Sequence, residues 1–88
     1  MFYDTMATIG AYMLKENLRI VLTGLKEYRR VNGYMPTHRE LAVSLGYESH
    51  HSVSKALRQL NELGYIIMTP KISRAIVITA KGKRHGKD

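Results

Sequence analysis

Residues 37–64 read THRELAVSLGYESHHSVSKALRQLNELG, and this stretch decides the fold. Thr37 and Glu40 stand at the T-x-x-E spacing of a capping box, so a short helix starts at Thr37. Leu41, Ala42 and Leu45 give it an apolar face. Gly46 sits where a left-handed C-cap is needed, a backbone region that glycine reaches cheaply. Ser49 then offers a hydroxyl cap for a second helix. Val53, Ala56, Leu57, Leu60 and Leu63 repeat at helical spacing, and Gly64 ends the run. The other face carries His50, His51, Ser54, Lys55, Arg58 and Asn61. Two helices joined by a tight turn make a helix-turn-helix, and a polar, mildly basic second helix suits the DNA major groove. The same spacing also occurs in plain helical cores, so the flanking sequence has to arbitrate.

Upstream, residues 14–31 predict a longer helix. Leu14, Leu18, Val21, Leu22, Leu25 and Tyr28 share one side, while Lys15, Arg19, Lys26 and Arg29 fall mainly away from it. Gly24 inside this helix costs about 1 kcal/mol against Ala and points to close packing with another helix. Asn32-Gly33 signals a turn, and Pro36 forces Met35 into an extended conformation just before the Thr37 cap. Residues 1–13, MFYDTMATIGAYM, put Phe2, Met6, Ile9 and Met13 at helical spacing. Two readings stay open for them: an extension of the first helix that packs locally, or a dimer contact.

Downstream of Gly64 the period changes from 3.6 to 2. Tyr65-Ile66-Ile67-Met68-Thr69 predicts a strand, Pro70-Lys71-Ile72-Ser73 a loop, and residues 74–79 the returning strand. The tip of this hairpin is basic, with Lys71 and Arg74 about Ser73. An isolated hairpin is marginal in water, so this one must pack on the helices, with Ile66, Ile76, Ile78 and Tyr65 as the candidate contacts. Residues 80–88, AKGKRHGKD, show no periodicity and are expected to form a disordered basic tail, either a phosphate-seeking arm or a solubilising terminus. The fold class is therefore α+β: a winged helix-turn-helix over residues 14–79, three helices followed by a two-stranded β-hairpin wing.

The charge distribution agrees with that reading. The chain has 88 residues and a net charge of +7. Residues 1–48 carry six Lys/Arg against five Asp/Glu, and residues 49–88 carry eight against two. The excess thus falls on the second helix of the motif and the segments C-terminal to it, where it attracts a polyanion, most simply nucleic acid. There is no cysteine, hence no disulfide and no thiolate metal site. No apolar run approaches the roughly 20 residues of a membrane span, and no basic n-region opens the chain. The protein is expected to be soluble and cytoplasmic, without membrane partners.

In order and wording, the chain resembles the N-terminal winged-helix DNA-binding domain of LexA-type repressors. The resemblance is carried by Gly33-Tyr34-Met35-Pro36-Thr37, by Glu40-Leu41-Ala42 and by Leu45-Gly46-Tyr47-x-Ser49. It continues through Leu57, Leu60 and Gly64 to Ser73-Arg74-Ala75-Ile76. The match runs without a gap from Leu18 to Val77. It implies base contacts from the start and middle of the third helix, at Ser49, His51, Ser52, Ser54 and Lys55. It also implies backbone contacts from the wing. LexA proteins commonly have acidic residues at the positions of Ser54 and Lys55. A Lys donates to guanine O6 and N7 whereas a Glu accepts from cytosine N4, so a target other than the LexA operator is expected. The self-cleaving domain of those repressors, which also dimerises, would begin where this sequence ends. The expectation is therefore a stand-alone regulator of phage or mobile-element type that does not cleave itself.

Nothing in the residue pattern supports an enzyme, and no cofactor is expected. His50 and His51 are adjacent and point about 100° apart on a helix, a poor geometry for holding one metal ion. Tyr28, Tyr47 and Tyr65 suit packing better than base stacking. Two functions remain. The first is a sequence-specific double-stranded DNA-binding repressor, either monomer or homodimer. In it Arg58, Lys71, Ser73 and Arg74 take phosphates while Ser49, His51, Ser52, Ser54 and Lys55 read bases. The alternative is a winged helix that binds a host transcription factor or polymerase.

Overall fold

The computed structural model of the protein describes residues 14–85. In chain order it holds α1 (Glu16–Asn32), α2 (His38–Leu45), α3 (His50–Glu62), β1 (Ile66–Met68), β2 (Ile76–Ile78) and α4 (Ala80–Arg84). The expectations for residues 1–13, helix extension or dimer contact, lie outside the described residues.

The boundaries follow from local chemistry. In α1, Glu16 stands in the first turn and Arg29 and Arg30 in the last, each beside the helix-dipole end that favours its charge. Gly33 closes the helix at φ 82°, donating its N–H to Arg29 O. The Thr37 hydroxyl accepts from Glu40 N at 3.1 Å, and the Glu40 carboxylate accepts from Thr37 N at 3.0 Å, completing the capping box. Both α2 and α3 end in the same six-residue closure. Tyr47 N donates to Ala42 O and Gly46 N to Val43 O; Tyr65 N donates to Leu60 O and Gly64 N to Asn61 O. These are Schellman motifs, and they require the positive φ of Gly46 (81°) and Gly64 (88°).

The three longer helices enclose one core. Leu18, Val21, Leu22 and Leu25 of α1 meet Leu41 and Ala42 of α2 and Val53, Ala56, Leu57 and Leu60 of α3, all buried. Gly24 lies where α1 passes α2: an added methyl would meet Leu45 Cδ2 at 2.9 Å. Met35 and Pro36, within the α1–α2 connection, are buried. The hairpin is antiparallel, pairing Ile66 with Ile78, Ile67 with Val77 and Met68 with Ile76. Its inner face buries Ile66 and Ile76, with Tyr65 beside them and Ile78 partly covered; Ile67 and Val77 form an exposed pair on the outer face. Asn61 Oδ1 accepts from Met68 N at 3.3 Å and ties β1 to α3.

Two elements differ from the sequence reading. The strands are shorter than expected and the connection is residues 69–75, closed by Thr69 N donating to Ala75 O. Lys71 and Arg74 both adopt positive φ (67° and 61°), which takes this segment out of the ladder. The second difference is the start of the basic tail, expected to be disordered. Residues 80–84 are helical. The Thr79 hydroxyl accepts from Gly82 N at 3.1 Å and directs its own hydrogen at Gly64 O (2.6 Å) and Tyr65 O (3.0 Å). Gly82 is buried against the Tyr65 carbonyl, Lys81 Nζ donates to Leu63 O at 2.9 Å, and the His85 ring meets Tyr65 edge-on. A single turn is too short to show a period and too short to stand alone, so its stability comes from this docking.

Candidate nucleic-acid interface

Helix α3 divides cleanly. Val53, Ala56, Leu57 and Leu60 anchor one side in the core, which turns His51, Lys55 and Arg58 outward at i, i+4 and i+7. All three are exposed, as are Ser49 and Ser52 at the start of the helix. Ser49 caps α3, its hydroxyl accepting from His51 N at 3.1 Å. The His50 and His51 rings stack with centroids 4.9 Å apart. Among the described residues no group of three or more His, Asp or Glu gathers to hold a metal ion.

Beside this row runs an open groove of about 540 Å³ between α3 and the wing, lined by Arg58 and Asn61 on one wall and by residues 68–76 on the other, with Thr37 and His38 at its end. The groove brings Arg58, Lys71, Ser73 and Arg74 around one concavity. Lys71 is exposed and makes no side-chain hydrogen bond or ion pair among the described residues.

Besides Ser49, two more of the residues expected to contact DNA have partners inside the protein. Ser54 is half-buried, and its hydroxyl lies 2.8 Å from His38 Nδ1 of α2. Burial, with a smaller contribution from nearby His50, holds the His38 pKa below its ordinary value. Arg74, expected to reach outward from the wing tip, turns back onto α2. Its Nη1 lies 2.6 Å from Glu40 Oε1 and 3.2 Å from Met35 O, and its Nη2 lies 2.9 Å from Glu40 Oε2. Its guanidinium carbon sits 5.0 Å from the Tyr34 ring centroid. The Arg74 hydrogen bond, followed by that from the Thr37 backbone, brings the Glu40 carboxyl down to about 2. The sequence marks Glu40 as a capping residue, but nothing local to it points to a partner 34 positions away. His38 and Asn61 are likewise legible there only as polar residues on helices.

A helix-turn-helix whose second helix presents an unobstructed polar and basic row, flanked by a hairpin packed on the same helix, defines a winged helix-turn-helix protein. The family description "LexA DNA binding domain" matches residues 13–75. The chain is 37% identical over 65 residues to the LexA repressor of Moorella thermoacetica, covering 74% of this chain and 32% of that one. It is 34% identical over 80 residues to the LexA repressor of Thermobifida fusca, covering 91% and 32%. To that of Pseudomonas chlororaphis it is 40% identical over 58 residues, covering 66% and 29%. The protein belongs to the LexA DNA-binding-domain family, and it spans about a third of the length of these relatives. No helix among the described residues is long and apolar enough to cross a membrane.

Proposed function

We propose that this chain binds double-stranded DNA in a sequence-specific way, as the DNA-binding part of a transcriptional repressor. The observation that carries this reading is the exposed row His51, Lys55 and Arg58, set opposite the buried side of α3 and beside a wing that carries the free cation Lys71. The repressor role draws on the names of the relatives. In this reading α3 enters the major groove with its N-terminal half toward the bases. Ser49, His51, Ser52 and Lys55 face base edges, and Lys55 is suited to guanine O6 and N7. Arg58, Lys71 and Ser73 take phosphate oxygens, which fix register without reading sequence. Ser54 supports His38 in place of contacting a base.

The test is selection of bound duplexes from a random double-stranded pool at near-physiological salt. An enriched motif supports the reading, and a two-fold symmetric motif would mean that two copies bind together. Salt-sensitive binding without a motif would reduce the interaction to its electrostatic part and refute sequence-specific recognition. The reading of this fold as a dock for another transcription protein would then take its place.

A further inference from the structure

Arg74 occupies the left-handed backbone region at φ 61°, where glycine would be cheaper than any residue with a side chain. A side chain kept at such a position is held there by its surroundings. Here the guanidinium fork is engaged on three sides: both Glu40 oxygens, the Met35 carbonyl and the face of Tyr34. The paired groups are partly exposed, at 41% for Arg74 and 37% for Glu40. Solvent therefore weakens the attraction, but the bidentate geometry fixes direction. The far end of the contact is also constrained. Glu40 Oε1 accepts from Thr37 N, and Thr37 starts α2. The first residue of α2, His38, touches Ser54 on α3. Polar contacts, joined through the Thr37–His38 peptide bond, thus lead from the wing through the start of α2 to α3.

We propose that Arg74 and Glu40 act together as positioning residues that set the wing against α2 and α3, and that neither contacts DNA. The inference rests on the DNA-binding reading above, and it has a counterintuitive consequence. Removing the negative charge of Glu40 from a surface that meets a polyanion weakens binding, because the wing and its Lys71 lose their placement. If Arg74 were instead a phosphate contact competing with its own carboxylate, the same change would release it and tighten binding.

The experiment measures duplex binding by fluorescence anisotropy across a salt series, using the selected motif or, failing one, a random-sequence duplex. The variants are Glu40→Gln, Arg74→Gln, Arg74→Lys and the double Glu40→Gln/Arg74→Gln. Gln at position 40 retains the capping-box chemistry, so α2 keeps its start. Each single variant is expected to weaken binding about two- to fivefold, the scale of a partly exposed ion pair. The double variant should be no worse than either single one. Lys should not rescue, because it cannot form the planar fork. Because both variants displace the same Lys71, the slope of log K against log salt should fall by the same amount in Glu40→Gln and Arg74→Gln, and by no more than the value of about one lost in Lys71→Gln. Tighter binding by Glu40→Gln, or a slope reduced in Arg74→Gln but unchanged in Glu40→Gln, would overturn the proposal.

If the wild-type chain binds no duplex, the DNA-binding reading fails, and the wing-setting role is decided in the free protein. Amide exchange at Thr69 and Ile72, whose N–H groups are bonded within the wing, should accelerate in Glu40→Gln. Unchanged exchange there would show that the pair does not hold the wing.

Discussion

Replacing Gly82 with Ala would place a methyl carbon 2.2 Å from the Tyr65 carbonyl oxygen and 2.9 Å from Ile78 Cγ2. The first contact is with backbone and cannot be relieved by a rotamer change, so α4 has to move off Tyr65. The movement breaks the Thr79 cap on Gly82 N and loosens the Thr79 hydroxyl from Gly64 O and Tyr65 O. A lost cap costs about 1 kcal/mol, and the displaced hydroxyl bond about 1 kcal/mol more. Better helix propensity of Ala over Gly returns at most ~1 kcal/mol. With the steric clash added, the net destabilisation is about 1–2 kcal/mol, which lowers Tm by roughly 4–16 °C for a domain of this size. Thermal unfolding followed by far-ultraviolet circular dichroism measures it. Gly24→Ala is the control, since its new methyl meets only the flexible Leu45 side chain, at 2.9 Å, and should shift Tm far less. A Gly82→Ala protein more stable than wild type would mean that propensity alone governs the site, and the docked α4 would be wrong.

Truncating Leu57, fully buried in the three-helix core, should cost about 2–5 kcal/mol as Leu57→Ala in urea unfolding; a cost below about 1 kcal/mol would contradict the packing. Lys55→Ala should change the motif recovered from a random duplex pool and cost about 1–3 kcal/mol at the native motif, whereas Ser54→Ala should leave the preferred sequence unchanged. Glu40 contributes stability that is complete above its ordinary value of 4.5 and lost as pH falls toward about 2. The Tm gap between wild type and Glu40→Gln should therefore be constant near neutrality and close across that window; a gap independent of pH would refute the pairing. His38, held neutral by burial, should make stability decline as pH falls below 6.5 through its lowered pKa, and His38→Gln should flatten that part of the profile.

The helix boundaries are readable because caps are local. Thr37 with Glu40, Ser49 with His51 N, and the closures at Gly46 and Gly64 each act within six residues, so sequence spacing specifies them directly. The buried sides of α1 and α3 and the inward face of the hairpin are readable for a related reason, since apolar period reports which face leaves water. Family resemblance joins these pieces into a winged helix, and the match over residues 13–75 bears it out. The partners of individual charged and polar side chains are not readable in this way. Arg74 meets Glu40, Ser54 meets His38 and Lys81 meets Leu63 O across 34, 16 and 18 positions. Each pairing depends on how the backbone brings distant segments together. From sequence alone, Arg74 and Lys71 are equivalent cations at one hairpin tip. Only the tertiary structure separates them: the turn that leaves Lys71 in solvent carries Arg74 over Tyr34 and onto the carboxylate that starts α2.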